Sequence, residues 1–250
     1  MSEATPTGFF TLGVSAGAYV LPHPRLGLPV ILLIRRVLCR AFAILRQEEF
    51  EFAEAHEDDV TAALLAVIEN NLRQTGTVPG FNRTMYDRVV RQAAVANYDL
   101  TRLSKAPDLC FKLRHDDCEP RMVLSEYDAL FVECKPVDAT HPAGSRYCDD
   151  GLIRFVVGDY AWAMQEGMML AYARDGRTIA AHLVPAMNER NRMISLATTE
   201  LPKACQAPDA TRDAHAERVH ISKHRRSFCW PDRKGKATDI TIYHLWHDCG

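Results

Sequence analysis

Ala129-Leu-Phe-Val-Glu-Cys-Lys135 is an apolar run that ends in an acid, a small residue and a lysine. Side chains alternate between the two faces of a β-strand, so Glu133 and Lys135 are predicted to share one face. A charged pair at the end of a buried strand costs free energy unless it binds something. The stretch therefore predicts a strand with a candidate site at its end. A surface salt pair at a sheet edge is the alternative interpretation.

A second strand-like run lies upstream and begins with Pro107-Asp108. The polar stretch His115–Arg121 separates this run, Asp108–Arg114, from the run Met122–Pro136. Two such runs joined by a polar segment are typical of a β-hairpin. Folding that hairpin brings Asp108 alongside Glu133, so the two carboxylates are predicted to meet.

Two other arrangements of acids compete with this pair. Asp128 also precedes Glu133, but five residues along a strand place it on the opposite face unless a bulge intervenes. A second acid-x-Lys triplet, Asp232-Arg233-Lys234, has Pro208-Asp209 upstream. This triplet lies in a polar run with no apolar strand before it, so the sequence favours the triplet that ends at Lys135.

These residue types suit phosphodiester hydrolysis, which needs a divalent cation, an activated water and positive charge near the phosphate. Carboxylates that point to one spot bind Mg²⁺ or Mn²⁺ through oxygen. A lysine beside them orients the water and offsets the phosphate charge.

Pro107-Asp108, followed by an apolar strand ending in Glu133-Cys134-Lys135, resembles the PD-(D/E)xK restriction-endonuclease-like superfamily. The similarity covers about residues 50–175, with an acidic helix before the motif and a helix after it. The resemblance implies a nuclease that depends on Mg²⁺ or Mn²⁺ and hydrolyses DNA phosphodiester bonds. It assigns metal binding to Asp108 and Glu133, and assistance to the attacking water to Lys135. The motif does not distinguish DNA from RNA.

The family often adds a glutamate from the first core helix, and Glu57 is the candidate. It lies on the same helical stripe as Val60 and Leu64, which faces the core. Stabilising the helix N-terminus is its alternative role. The family also places a glutamine or lysine on the helix after the motif. Gln165 matches, either as a structural partner or as a contact to substrate phosphate.

A basic C-terminal segment is the predicted nucleic-acid contact. Arg218–Lys236 contains seven lysines or arginines and one acid, interleaved with aromatic residues, a composition suited to phosphates and stacked bases. A solvated basic loop is the alternative. The residues predicted to contact nucleic acid are Lys223, His224, Arg225 and Arg226, with Arg154 and Tyr147 beside the active site.

Periodicity and turn residues predict a mixed α/β chain, with a central mixed β-sheet flanked by helices on both sides. The predicted helices are residues 29–55, His56–Gln74, Thr84–Asn97 and Leu152–Arg174. The predicted strands are Asp108–Arg114, Met122–Pro136, Thr178–Met187, Arg192–Thr198 and Ile240–Trp246. Gly144–Asp150 is predicted to be a loop, and residues 199–217 a linker.

Length and composition fit one nuclease domain over residues 26–250, with its core at about 50–200 and a basic segment at 218–250. Residues 1–25 are predicted to be an irregular lead-in. Apolar residues make up 47% of the chain, charged residues 25%, and the net charge is −2, so any DNA-binding surface must be local. Eight scattered cysteines and no apolar spanning segment predict a reduced, cytoplasmic protein with no membrane contact.

Two other classes of function compete with a nuclease. One is a catalytically inactive nucleic-acid-binding or scaffold subunit with a nuclease-like fold. The other is an α/β enzyme that uses Cys134 or another thiol with a histidine. Family analogy suggests restriction, phage defence or repair, in a homodimer or a larger complex.

Overall fold

The structure is a computed structural model that describes residues 19–82, 86–113, 123–205, 219–231 and 234–250. It contains one sheet of seven strands, which are β1 Tyr86–Arg91, β2 Leu109–Leu113, β3 Ala129–Val137, β4 Glu166–Ala173, β5 Thr198–Ala204, β6 His220–His224 and β7 Ile240–Asp248. Their order across the sheet is β1-β2-β3-β4-β7-β6-β5. Several predicted features lie outside the described residues, namely the hairpin turn at 115–121, Asp209, Arg218 and the Asp232-Arg233 part of the rival triplet.

The described helices include several with π-helical turns. They are α1 Leu28–Gln47, α2 Glu57–Val67, α3 Arg73–Thr75, α4 Ile153–Val156, α5 Val184–Met187 and α6 Arg190–Ser195, the π-helices Ile68–Leu72, Ala143–Leu152 and Ile179–Leu183, and the 3₁₀ turn Ser125–Tyr127. The π-helix 143–152 leads directly into α4. Within the described ranges, no helix has the length and apolar character needed to cross a bilayer.

Three parallel strands form the centre of the sheet. β3 pairs with β4 and β4 with β7 in parallel, while the outer pairs β1–β2, β2–β3, β7–β6 and β6–β5 are antiparallel. Every residue of β3 and β4 is buried, and so is all of β7 except its last residue. Strands covered on both faces are expected to read as continuous apolar runs. The predicted mixed α/β fold is confirmed.

Helices cover both faces of this central sheet. On one face, Thr61 of α2 hydrogen-bonds Tyr172 of β4 at 2.8 Å between the hydroxyls, and Phe42 of α1 packs edge-on against the same ring. On the other face, the π-helix 143–152 approaches so closely that a Cβ on Gly151 would lie 2.9 Å from Met169 Cε and 3.4 Å from Lys135 Cγ. The helix therefore packs closely on this face, and a side chain at position 151 would displace the flexible end of Met169.

The predicted helix that carries Glu57 and the predicted hairpin strands that bring Asp108, Glu133 and Lys135 together are confirmed. The helix predicted at 56–74 is α2 with its short extensions, and β2, β3 and β7 lie within or close to their predicted ranges. β2 and β3 form the expected antiparallel hairpin. The first helix is shorter than predicted, since α1 ends at Gln47.

The prediction of a helix over Leu152–Arg174 is wrong. The helix ends at Val156, and the second half of the segment is strand β4. Gly158 and Ala161, which follow the end of the helix, both have positive φ, 76° and 53°, so the helix cannot continue through them. An all-round apolar pattern is common to buried helices and buried parallel strands, so periodicity alone could not separate them.

Five other element predictions are wrong, in whole or in part. Thr84–Asn97 contains strand β1, where pairing with β2 outweighs local helical spacing. The predicted loop at 144–150 is π-helical. The two strands predicted at Thr178–Met187 and Arg192–Thr198 are mainly helical, and the predicted linker after them begins with β5.

A chain of buried hydrogen bonds joins β7 and β6 to the helical layer. His224 Nδ1 is 2.9 Å from the Leu196 carbonyl and donates to it, so its Nε2 accepts from Ser222 Oγ at 2.8 Å. The Ser222 oxygen then accepts from His244 Nε2 at 2.7 Å, which leaves His244 Nδ1 to accept from the Tyr147 hydroxyl at 2.9 Å. With both imidazoles neutral, each bond of this chain has one donor and one acceptor, and the Tyr147 hydroxyl also lies 3.3 Å from the Met169 carbonyl.

Acid should therefore destabilise the fold through this chain. Burial lowers the pKa of His224 to about 4, and burial together with His224 and His220 lowers the pKa of His244 as well. A histidine in the unfolded chain takes up its proton near pH 6.5. Between the folded-state pKa and pH 6.5 the unfolded state therefore binds more protons than the folded state, and the free energy of unfolding falls as pH falls. From pH 7 to about pH 5 the His224 contribution to the free energy of unfolding should drop by about 2 kcal/mol.

Urea unfolding of wild type and His224→Gln at both pH values isolates this effect, because glutamine does not titrate. The destabilisation caused by the substitution should shrink at pH 5. His182→Gln is the matched control, since the same substitution is made there at a partly exposed histidine of the described structure. If the loss of stability caused by His224→Gln were the same at both pH values, His224 would not be held neutral by this chain of hydrogen bonds.

Candidate active site

The hairpin ends at the candidate site. The β2–β3 pairing starts at Leu109 and Val132, one residue before Glu133. Beyond this pair, the Cys134 amide donates to Asp108 Oδ2 at 2.6 Å instead of to a strand carbonyl. Asp108 thus takes the place of a strand partner and is held beside β3, as the folded hairpin predicts.

Lys135 lies at the centre of three carboxylates. Its Nζ is 2.6 Å from Glu57 Oε1, 3.0 Å from Glu133 Oε1 and 3.8 Å from Asp108 Oδ2. The side chain of Lys135 is 6% exposed and that of Glu133 is fully buried. The structure therefore brings together Asp108, which directly precedes β2, Glu133 and Lys135 of β3, and Glu57 of α2.

Two further side chains hold Glu133 in place. Arg154 of α4 donates to Glu133 Oε1 at 2.8 Å, and the Tyr160 hydroxyl donates to Oε2. Arg154 was expected to contact nucleic acid and instead contacts a site carboxylate. Tyr160 was missed. It follows the helix break at Gly158, inside a segment interpreted as continuous helix, so nothing in the pattern marked it.

Burial and mutual repulsion change the proton affinities of these groups. Burial and the neighbouring Glu133 carboxylate raise the pKa of Asp108 to about 7. Burial also raises the pKa of Glu133, although Lys135 and Arg154 oppose the rise. Burial alone would lower the pKa of Lys135, but Glu133, Asp108 and Glu57 outweigh it and raise the pKa, so the ammonium keeps its proton.

The donor set fits a small, hard cation by its chemistry. Three carboxylates already surround one positive charge, the Lys135 ammonium, and oxygen ligands of this kind suit Mg²⁺ or Mn²⁺. With the side chains as they stand, no group of three or more His, Cys, Asp or Glu within the described ranges is arranged to hold a metal ion. Metal binding by Glu57, Asp108 and Glu133 therefore requires the ammonium to move out from between them.

Gln165 and Tyr147 do not join this cluster. Gln165 precedes β4 rather than lying on a helix, and its Nε2 donates to the His23 carbonyl at 2.9 Å, which favours the structural role weighed for it. Tyr147 is fully buried in the hydrogen-bonded chain with His244, so the expectation that it reaches a substrate strand is corrected. Asp128 precedes β3, and five residues of strand separate it from Glu133 by about 16 Å.

The basic segment is not one exposed surface. Lys223 and Arg225 are exposed, with Lys223 Nζ 2.6 Å from Glu200 Oε1, but His224 is fully buried and Arg226 is 1% exposed. Residues 220–224 form strand β6, in which alternate side chains point inward. His224 and Arg226 are therefore interior residues, and the prediction that they contact phosphate is corrected.

Cys134 is the candidate nucleophile of the thiol alternative. It is fully buried, and burial followed by the Asp108 charge raises its pKa well above the usual range. Thiolate, the reactive form, is thus disfavoured at this position. The geometry does not support a thiol mechanism at Cys134.

Comparisons with models of protein families, with curated proteins and with solved structures find no match for this chain.

Proposed function

We propose that this protein is a metal-dependent nuclease that hydrolyses DNA phosphodiester bonds. The observation that supports it is the convergence of Glu57, Asp108 and Glu133 on the Lys135 ammonium. Burying four charges together is expensive unless they bind a ligand or one another in good geometry. The resemblance of Pro107-Asp108 and Glu133-Cys134-Lys135 to the PD-(D/E)xK motif names the ligand as Mg²⁺ or Mn²⁺.

Each residue has a defined role in this proposal. Glu57, Asp108 and Glu133 would hold the cation, which when bound supplies Lewis-acid stabilisation of the phosphate and a more acidic water. Lys135 orients that water and offsets the charge that develops on the phosphate. Arg154 and Tyr160 fix the Glu133 carboxylate through its two oxygens. A place in restriction, phage defence or repair is part of the proposal by family analogy.

Asp108→Asn and Glu133→Gln test the role of the carboxylates. Each change keeps the size of the side chain and removes one anionic ligand, so cleavage of plasmid or linear DNA in Mg²⁺ should be abolished. Calorimetry should show weakened Mn²⁺ binding in both variants. Asp128→Asn is the control and should keep most of the activity. Full Mn²⁺ affinity in both site variants would show that Asp108 and Glu133 do not bind the metal. Loss of activity in Asp128→Asn alone would show that Asp128, not Asp108, is the site aspartate.

A second candidate is an inactive nucleic-acid-binding or scaffold subunit. The same contacts favour it, because the Lys135 ammonium already compensates the carboxylates without a ligand. Thermal unfolding with and without Mn²⁺ separates the two candidates. The nuclease should be stabilised by the ion, with the shift lost in Asp108→Asn, whereas a structural charge cluster should show no shift and no cleavage.

A further inference from the structure

A cleft lies next to the carboxylate cluster, at the end of the sheet. Its volume is about 480 Å³, and its lining includes Pro136 at the end of β3, Arg174 directly after β4, and Glu57. β3 and β4 are parallel, so their carboxyl ends meet at this edge, where open α/β sheets commonly bind ligands. Because Glu57 also contacts Lys135, the cleft opens directly beside the proposed catalytic cluster.

Two basic side chains of the cleft are held in position by one aspartate. Asp138 Oδ2 accepts from Arg174 Nη1 at 3.3 Å, and its Oδ1 lies 2.9 Å from His141 Nδ1. Arg174 Nη2 also donates to the Ala55 carbonyl at 2.7 Å. Asp138 is itself fixed by Thr140, whose amide and hydroxyl both donate to Oδ1. With Nδ1 engaged, Nε2 is the ring nitrogen of His141 that remains for a ligand.

Arg146 adds a third basic group to the lining, with more freedom to move. It pairs with Asp150 one helical turn away, at 2.8 Å, and both side chains are nearly half exposed. An exposed pair of this kind contributes little stability, so Arg146 can turn toward a ligand in the cleft at small cost.

The acids of the cleft are largely compensated by other groups. Glu57 contacts Lys135, and Asp58 contacts Arg91 at 2.5 Å and the Gln92 amide at 3.3 Å. Glu54 is exposed to solvent. Glu57 and Asp58 thus have basic partners already, and a phosphate, whose geometry guanidinium groups match, would share Arg174 with Asp138 and Arg146 with Asp150.

We propose that this cleft is a nucleotide-phosphate site formed by Arg146, Arg174 and His141. It would hold the phosphate of the strand one position from the bond that is cleaved, either at a strand end or within the strand. The volume lies within the usual range of small-molecule sites, about 300–1,000 Å³, which suits one nucleotide unit. This inference extends the proposed nuclease function and rests on it for the identity of the substrate.

Binding measured without cleavage tests the site. The probe is a fluorescein-labelled oligonucleotide, with or without a 5′-phosphate, titrated with the full chain in EDTA, and a nucleoside 5′-monophosphate serves as competitor. Arg146→Ala and Arg174→Met should each weaken binding by about tenfold or more, the usual effect of losing a hydrogen bond to a charged group. Arg36→Ala, an exposed arginine of α1, should bind like wild type. Because Arg146 makes only an exposed contact, its variant remains informative if Arg174→Met fails to fold.

The outcomes distinguish a strand-end phosphate from an internal phosphate, and they test the phosphate site separately from the nuclease activity. If removal of the 5′-phosphate weakens binding as much as Arg146→Ala, and the two losses are not additive, the site takes a strand end. If the 5′-phosphate makes no difference while Arg146→Ala still weakens binding, the site takes an internal phosphate. Unchanged affinity in both arginine variants overturns the inference even if the enzyme cleaves DNA. Binding that depends on the arginines, without any metal-dependent cleavage, would support the phosphate site and contradict the proposed nuclease function.

Discussion

Lys135→Met should lower the single-turnover cleavage rate by about a hundredfold to ten-thousandfold, the range expected for loss of a group that acts on the attacking water. Affinity for DNA should change little, because Lys135 is 6% exposed and is surrounded by carboxylates rather than by a binding surface. Binding measured in Ca²⁺ and cleavage measured in Mg²⁺ separate the two quantities. A variant that loses affinity and keeps its saturated rate would remove Lys135 from the mechanism.

The same substitution should also destabilise the fold. It leaves Glu57, Asp108 and Glu133 without their shared cation, and breaking a buried pair typically costs about 3–5 kcal/mol. Mn²⁺ should recover part of that loss, because the ion replaces the missing positive charge among the same carboxylates. Urea unfolding of the variant with and without Mn²⁺ measures this recovery.

Lys223→Met is the matched control for both effects. Lys223 is also a strand lysine with a glutamate oxygen 2.6 Å away, the same distance as from Lys135 to Glu57, but both partners are nearly half exposed. Exposed pairs contribute about 0–1 kcal/mol, so this variant should unfold like wild type and keep its cleavage rate at saturating DNA. Equal losses in the two variants would show that burial of the cluster has no special role.

Local chemistry made the centre of the site predictable. The end of an apolar run fixes which residues of β3 share a face, and the hairpin then places Asp108 beside Glu133. The resemblance implies a glutamate on the first core helix, and helical spacing selected Glu57, which lies 2.6 Å from Lys135 in the structure. The inferences about β3 and the hairpin need only neighbours in the same element or across one turn.

The second layer of the site was not predictable for a physical reason. Arg154 and Tyr160 reach Glu133 only because the chain leaves its helix at Val156 and turns back before β4. That turn depends on positive φ at Gly158 and Ala161 and on packing against distant parts of the chain. An apolar pattern without periodicity carries no information about such a turn.

The basic segment failed as a prediction because composition does not reveal which side chains point inward. Arg225 and Arg226 are adjacent and chemically identical, yet the first is exposed and the second is 1% exposed. The Arg226 guanidinium donates to carbonyl oxygens of two loops, which are those of Ala161, Trp162, Met164 and Thr238. Burial lowers its pKa to about 10, so the group stays charged at neutral pH.

This difference leads to the second large expected effect. Arg226→Met should destabilise the protein by about 3–5 kcal/mol, because buried carbonyls lose their donors and each unsatisfied group costs about 1–3 kcal/mol. Three of those carbonyls, at Ala161, Trp162 and Met164, follow Tyr160 in the chain. Tyr160 fixes Glu133, so cleavage should fall even under conditions in which the variant stays folded.

Arg225→Met is the control, one residue away and with the same change of charge. Its free energy of unfolding should stay within about 0.5 kcal/mol of wild type. If Arg225 meets a substrate phosphate, its loss should weaken DNA binding for all sequences and flatten the salt dependence by about one unit of slope. Urea unfolding and salt-dependent DNA binding of both variants provide the measurements. Equal stability of the two variants, with equal loss of DNA affinity, would show that Arg226 is exposed and that the basic segment is one continuous surface. Only an exposed guanidinium can be exchanged for methionine without leaving buried carbonyls unpaired.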